Sequence, residues 1–381
     1  MLNHVLNLIQ DLRFQHLNRI INHETLNQVQ GDKIVLTTQF RGEREKFLTE
    51  KRMVDEEILR LLKEHSIRFV SGEQISRQLK VTRTAIWKRV KRLRALGYEI
   101  EASTRTGYHL IRSPDLLTPS EVKPLLRTKW MGRTIHHFHS IDSTNLAAYQ
   151  LALQGAEEGE IVIAESQRKG RGRLGRKWFS PPLSNLYVSI ILRPKIPPHQ
   201  ASLITLMAAV ATAGAIQRFS GLQPFIKWPN DILLKDRKVA GLLNEIHSET
   251  DRIHFIILGI GVNLNMDKKM FSKEIRNLAT SLKREMGQPI SRKAFLQVLL
   301  QELETWYETF LVEGAAPVLK AWKERSQIQG RPVRVTSFRE VLVGTAIDVD
   351  SDGALILETK EGERKRVVAG DVEYQPKKAV T

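Results

Sequence analysis

The chain has 381 residues, a formal charge of +17 and no cysteine. That length allows two or three domains with their own cores. The missing thiols exclude disulfide scaffolds, thiolate zinc sites and cysteine nucleophiles, and the basic excess favours anionic partners: nucleic acid, phosphate-bearing ligands or acidic protein surfaces.

Residues 1–52 mix Asn, Gln, His and charge with little apolar periodicity, and are expected to form a poorly ordered extension without the basic, apolar, small-residue order of a signal peptide. Clear pattern begins near Met53. Val54, Ile58, Leu59, Leu61 and Leu62 suit one face of a helix to Lys63. Ser71 followed by Gln74 is a capping-box signature for a second helix through Leu79. Lys80 and Val81 make a tight turn, and Thr82 caps a third helix running to Leu96, with Gly97 as its C′ glycine. Tyr98 to Glu101 and Tyr108 to Ile111 read as strands around a turn at Gly107. Three helices followed by a hairpin is the order of a winged helix-turn-helix, here residues 53–113.

In the third helix Ile86, Val90 and Leu93 recur at core spacing, and Arg83, Lys88, Arg89, Lys91, Arg92 and Arg94 fill most of the rest. An isolated helix of this kind is usually a solvated basic face. The short preceding helix, the turn and the hairpin favour DNA binding instead. Ser71, Thr82, Arg83, Thr84, Trp87, Lys88 and Arg89 are the candidate contacts, and Arg105, at the hairpin tip, is placed to meet the minor groove or a phosphate.

Pro114 and Pro119 bracket a linker into an α/β region assigned to residues 114–327. Glu160 to Ala164, Leu186 to Leu192, Phe225 to Trp228, Val239 to His247 and Ile253 to Val262 are strand-like. Ser291 to Leu311 is helical, as is Ala201 to Phe219, whose apolar run to Ile216, at roughly 16 residues broken by Ser, Thr and Gly, reads as a core helix and is short for a membrane span. A soluble cytoplasmic protein with no membrane partner is expected. From Ile328 the pattern shifts to short strands at Val333–Val335, Val341–Ile347, Ala354–Leu357 and Lys365–Val368, a small β-barrel-like unit over residues 328–381. The fold class is therefore α/β multidomain.

Four segments carry chemistry. In Gly170-Arg171-Gly172-Arg173-Leu174-Gly175-Arg176 the glycines let backbone N–H groups approach an anion and the arginines supply charge-assisted donors. Such a loop is expected to be mobile and self-repelling when empty. Taken alone it is equally an RNA-contacting or plain basic loop, and it lacks the closing Gly-Lys-Ser/Thr of a Walker A motif. Lys227-Trp228-Pro229-Asn230-Asp231, followed by Lys238-Val239-Ala240-Gly241, puts a carboxylate at a strand end, a position that also suits a turn or cap aspartate. Gly259-Ile260-Gly261-Val262-Asn263 pairs glycines inside an apolar strand, which a closely approaching ligand, a backbone or a bulge explains equally well. Ser143-Thr144-Asn145 is either a helix N-cap or a set of donors and acceptors for a polar head group.

In this order, and with Glu165-Ser166-Gln167 leading into the glycine–arginine loop and Trp178, these segments resemble the biotin–protein ligase family in its bifunctional ligase/repressor form, from about Met53 to Val372. The resemblance implies a winged helix-turn-helix, a class II synthetase-like ligase domain and an SH3-like C-terminal domain. It implies that biotin and ATP, with Mg²⁺, give biotinyl-5′-adenylate, and that a lysine of biotin carboxyl carrier protein takes the biotinyl group. Biotin would also serve as corepressor, operator DNA would be a second partner, and a homodimer is expected. Carried over by position, Ser143, Thr144, Asn145, Gln167, Arg171, Gly172, Arg173, Lys238, Gly241, Gly259 and Gly261 are implied at biotin. Gly170, Arg171, Arg173, Arg176, Trp178, Asn230 and Asn263 are implied at the nucleotide. Arg173, Lys238 and Asp231 are implied in catalysis, Asp231 also at Mg²⁺. Arg364 to Gly370 does not align with a C-terminal adenylate contact. The alternatives are a biotin sensor that has lost catalysis and a lipoate–protein ligase.

Overall fold

A computed structural model describes residues 54–337 and 340–375, which fall into two compact units. The expected extension, residues 1–52, lies outside the described residues.

The first unit runs to Leu96 and includes Ile100–Ile111. Its opening helix covers residues 54–64 and buries Ile58, Leu59, Leu61 and Leu62. In the next helix, Gly72–Leu79, Ser71 Oγ accepts the Gln74 N–H at 3.0 Å, and the chain turns at Lys80 in the left-handed region (φ 53°). Thr82 Oγ1 accepts the Ala85 N–H to start the helix Arg83–Ala95, which buries Ile86, Val90 and Leu93. Both caps satisfy N–H groups that a helix start leaves unpaired. The hairpin pairs β1 (Glu99–Ser103) with β2 (Gly107–Arg112). Gly107, at φ +109°, is required there: a Cβ would lie 2.1 Å from the Val70 carbonyl oxygen.

The second unit holds a seven-stranded sheet in the order β3-β4-β5-β9-β8-β7-β6. Its strands are β3 (Ile135–Phe138), β4 (Ile161–Ala164), β5 (Leu186–Leu192), β6 (Phe225–Lys227), β7 (Asp231–Leu234), β8 (Arg237–Ser248) and β9 (Ile253–Val262). Only β3 and β4 run parallel. Strand alternation divides the sheet into two faces. Leu186, Val188, Ile190 and Leu192 of β5, with Ile256, Leu258, Ile260 and Val262 of β9, enter the main core under the helices Ala201–Ser220 and Arg292–Glu313. The segment Pro198–Ser220 is long and apolar enough to cross a membrane, but most of it is buried inside this core. On the other face Ile191 and Ile257 pack with Ala148 and Ala152 of the helix Thr144–Leu153. That leaves Tyr187, Ser189, Gly259 and Gly261 on the same face, further along β5 and β9.

The C-terminal part is an antiparallel, SH3-like five-stranded sheet, β13-β12-β11-β10-β14, built from β10 (Arg331–Thr336), β11 (Val341–Val349), β12 (Leu355–Glu358), β13 (Arg364–Val367) and β14 (Asp371–Tyr374). It belongs to the second unit. Trp228 Nε1 donates to the Gly353 carbonyl at 3.0 Å and Ser202 Oγ to the Asp352 carbonyl at 2.6 Å.

Candidate functional site

The free end of the second sheet face forms the floor of a cavity of about 450 Å³. Register lays two rows across it: Tyr187, Gly261 and Gly241, then Ser189, Gly259 and Leu243. The glycines leave room, and side chains of the protein itself fill part of it. A Cβ on Gly259 would lie 2.0 Å from Asn145 Oδ1, and one on Gly261 2.5 Å from the Trp178 ring. The close approach expected at this glycine pair is therefore made here by Asn145 and Trp178. The indole Nε1 of Trp178 is buried and has no hydrogen-bond partner, leaving a donor for whatever enters.

All eleven residues expected at biotin line this one cavity, and so do Arg176, Trp178, Asn230 and Asn263 from the nucleotide set. Gly170 does not. It is buried behind the loop, where a Cβ would meet the Trp178 carbonyl oxygen at 2.4 Å. Ser143 is the N-cap of the helix Thr144–Leu153, an element the sequence pattern leaves open as a cap alone. Gln167 Oε1 accepts from both the N–H (2.9 Å) and the hydroxyl (3.1 Å) of Thr144, so its amide nitrogen is directed to Ser180 Oγ at 3.0 Å.

Several of the charges in and around the cavity are paired. Lys238 Nζ lies 2.6 Å from Asp231 Oδ1 and 5.4 Å from the Trp178 ring centroid. Arg168 and Lys169 pair with Asp142, Arg171 with Glu245 at 2.8 Å, and Arg176 with Asp371. Arg173 donates to Asn230 Oδ1 at 3.3 Å and to the Gly370 carbonyl at 3.4 Å. Burial pushes the Arg173 guanidinium below its ordinary value, while Asp371 and Asp231 draw it back up. The self-repulsion expected of the empty loop is thus relieved by resident acceptors.

Beneath the site lies a buried ionic cluster. Arg292 and Glu165, 1% and 2% exposed, pair at 2.7 Å; His137 lies 3.1 Å from Glu165, and Arg292 also engages Asp115. Burial raises the Glu165 carboxyl, but the His137 hydrogen bond and the Arg292 charge outweigh it and hold it at about 2.

Several lining or supporting residues lie outside the segments that sequence reasoning picked out as functional: Tyr187, Asp236, Asp371 and Tyr374 on the wall, Ser189 beneath Thr144 and Asn145, and Glu245. Ser189 had a usable signal, being the one small polar residue in the apolar strand Leu186–Leu192. Asp371 had none, since it reaches Arg176 only through the tertiary fold.

The DNA candidates lie in the first unit. Arg83, Thr84, Trp87, Lys88 and Arg105 are exposed, and Lys91 Nζ lies 5.5 Å from the Trp87 ring centroid. Ser71 and Thr82 use their hydroxyls as caps. Arg89 departs from expectation: its side chain is 18% exposed and pairs with Asp55 at 3.2 Å, because position 89 flanks the Ile86–Val90–Leu93 core stripe.

Comparison with known proteins agrees with this geometry. Residues 137–263 match the Biotin/lipoate A/B protein ligase family, 55–109 an HTH domain, and 329–374 the Biotin protein ligase C terminal domain. The chain is 38% identical over 317 residues to the bifunctional ligase/repressor BirA of Bacillus spizizenii, covering 83% of this chain and 97% of that one. It is 33% identical over 305 residues to BirA of Escherichia coli, covering 80% and 92%. The chain belongs to the biotin protein ligase family. In structure it resembles the biotin protein ligase from Aquifex aeolicus in complex with biotin and ATP, with a TM-score of 0.55 and 25% identity over 64% of this chain and 99% of that one. Within this family, the N-terminal HTH domain places the chain with the bifunctional ligase/repressors.

Proposed function

We propose that this chain is an ATP-dependent biotin–protein ligase that also binds operator DNA as a repressor of biotin genes. The observation that carries the reading is that the residues expected at biotin and those expected at the nucleotide converge, Gly170 excepted, on one cavity holding both Lys238–Asp231 and Arg173. In the first half-reaction a biotin carboxylate oxygen attacks the α-phosphorus of ATP. The new P–O bond forms as pyrophosphate leaves. In the second, an unprotonated lysine amine of biotin carboxyl carrier protein attacks the acyl carbon, AMP departs with the bonding pair, and the amine proton is lost to give an amide.

Both substrates are anionic, so the site needs preorganised cations. Lys238 would face the carboxylate and α-phosphate, releasing Asp231 as they arrive. Arg173, held between Asn230 and Gly370, would close over the adenylate and keep water from the anhydride. Asp231, freed from Lys238, could accept the acceptor lysine's proton. Mg²⁺ accompanies nucleotides with one or two carboxylates and several waters and phosphate oxygens as ligands; Asp231 and Asp236 are carboxylates this wall offers, and no cluster of three metal-ligating side chains occurs among the described residues. Asn263 would face adenine, and Ser143, Thr144 and Gln167 the biotin head group.

The domain division at 53–113, 114–327 and 328–381, a homodimer and a cytoplasmic location complete the reading. Transfer of radiolabelled biotin onto carrier protein tests it directly. Pyrophosphate release with biotin but not lipoate is expected, lipoate preference would move the chain to the sister activity, and biotin binding without release would make it a sensor.

A further inference from the structure

Glu245 lies in no recognisable motif and does not line the cavity. It stands on β8 on the same sheet face as Gly241 and Leu243, one row further along, and uses both carboxylate oxygens within the protein. Oε1 takes Arg171 Nη1 at 2.8 Å, and Oε2 accepts from Asn145 Nδ2 at 2.8 Å. Asn145 is otherwise committed as well. Its Nδ2 also reaches the Leu243 carbonyl at 3.3 Å, and its Oδ1 lies 2.6 Å from Ser189 Oγ and over Gly259. With both amide protons given to protein acceptors, Asn145 is 5% exposed and fixed in orientation. Ser189, Asn145, Glu245 and Arg171 thus form a continuous chain of polar contacts from the buried sheet to the glycine–arginine loop.

We propose that Glu245 is a positioning residue that anchors the Arg171 end of the loop to the pocket floor through Asn145, so that retention of the activated intermediate depends on its charge. Resting on the ligase reading above, this gives Asn145 a structural task and divides the loop arginines: Arg173 closes over the intermediate, while Arg171 holds the loop down. Glu245 is suited to this because the pair is only partly covered, with side-chain exposures of 53% for Arg171 and 24% for Glu245. It can break to admit substrates and re-form behind them. A pair of that exposure shifts an open–closed equilibrium by about two- to fivefold.

Glu245→Gln keeps an acceptor for Asn145 and removes the charge facing Arg171. In the full-length chain, hydroxylamine trapping measures how much intermediate escapes per pyrophosphate released. The expected result is an about threefold larger trapped fraction in Glu245→Gln with an unchanged melting temperature. Glu245→Asp, which keeps the charge but draws it back, should fall between Gln and wild type. Arg171→Gln combined with Glu245→Gln should leak no more than the worse single variant, because the two share one interaction. If Glu245→Gln traps no more than wild type, or the double variant leaks as the product of the singles, the assignment is overturned. A wild-type chain that releases no biotin-dependent pyrophosphate would overturn the ligase reading and this one with it, an outcome distinct from an active wild type with a tight Glu245→Gln.

Discussion

Two basic segments give this chain much of its character, and they differ in how completely their charge is met inside the protein. In the glycine–arginine loop Arg168, Lys169, Arg171, Arg173 and Arg176 all meet an acceptor within the second unit: Asp142, Glu245, Asn230 with Gly370, or Asp371. In the helix Arg83–Ala95, Arg83 meets Glu73, Arg89 and Arg92 share Asp55, and Arg94 donates to the Ile100 carbonyl, but Lys88 and Lys91 face solvent with no carboxylate partner among the described residues. The difference follows from the ligand. A loop that must close over a small anion needs a resting arrangement from which the anion can displace weak internal partners. A face that meets a continuous line of phosphates gains from counterion release, and an internal partner would only compete with it.

The most sensitive probe of this contrast is the pair that is never meant to open. Arg292→Met strands the buried Glu165 carboxylate and should cost on the order of 3–5 kcal/mol of unfolding free energy, measured by urea titration. Glu165 is held at about 2, below the ordinary 4.5. Its contribution is therefore fully present above about pH 4.5 and is lost as pH falls from there toward 2. The variant should lose that portion of the acid dependence; identical acid limbs in the two proteins would show that Glu165 does not set it.

Next comes the exchangeable pair proposed for the reaction centre, Lys238 and Asp231. Lys238→Ala should lower pyrophosphate release by about 2–4 kcal/mol of transition-state stabilisation, roughly thirty- to nine-hundredfold. Asp231→Ala should cost less in this step, because it leaves the Lys238 ammonium free for the anions, whereas Lys238→Ala leaves a carboxylate facing them. Equal turnover in both variants and wild type would return the pair to a structural role. A smaller effect is expected at Arg173, whose two long hydrogen bonds hold the closed loop. Arg173→Gly should still make adenylate but label a bystander protein about tenfold more than wild type, the effect expected of removing one charge-assisted hydrogen bond.

How far these residues could be read in advance depended on whether their signal was local. The strands Leu186–Leu192 and Ile253–Val262 and the caps Ser71 and Thr82 were legible as mostly apolar runs or short cap signatures, and the structure places them at the expected residues. The helix Thr144–Leu153 was signalled only by its cap at Ser143, because its apolar residues ring it rather than forming one stripe. Strand β14, Asp-Val-Glu-Tyr, is too short and polar to signal a strand by itself, and it exists through pairing with β10. The four chemical segments were visible because each is contiguous. Glu245 enters only by cross-strand register, and Asp371 and Gly370 only by the C-terminal sheet folding back on the loop, which no local pattern encodes.

The finest test separates neighbours on the DNA-facing helix. Positions 88 and 89 are both basic and adjacent, yet the 3.6-residue period puts Arg89 beside the core stripe and Lys88 on the open face with Thr84 and Lys91. Lys88→Ala takes one ammonium away from the phosphate backbone. It should weaken operator binding modestly and reduce the slope of log affinity against log salt by about one. Arg89→Ala should leave that slope unchanged. It should instead lower the stability of the first unit by removing the more buried of the two guanidinium groups that meet the buried Asp55 carboxylate, the other being the more exposed Arg92 at 3.3 Å. Gel-shift titrations at several salt concentrations, read beside thermal melts of the same two proteins, distinguish the roles. A reduced slope in Arg89→Ala with an unchanged melt would show that Asp55, like the acids of the loop, is a partner that an incoming phosphate displaces, and the contrast between the two segments would then be one of degree.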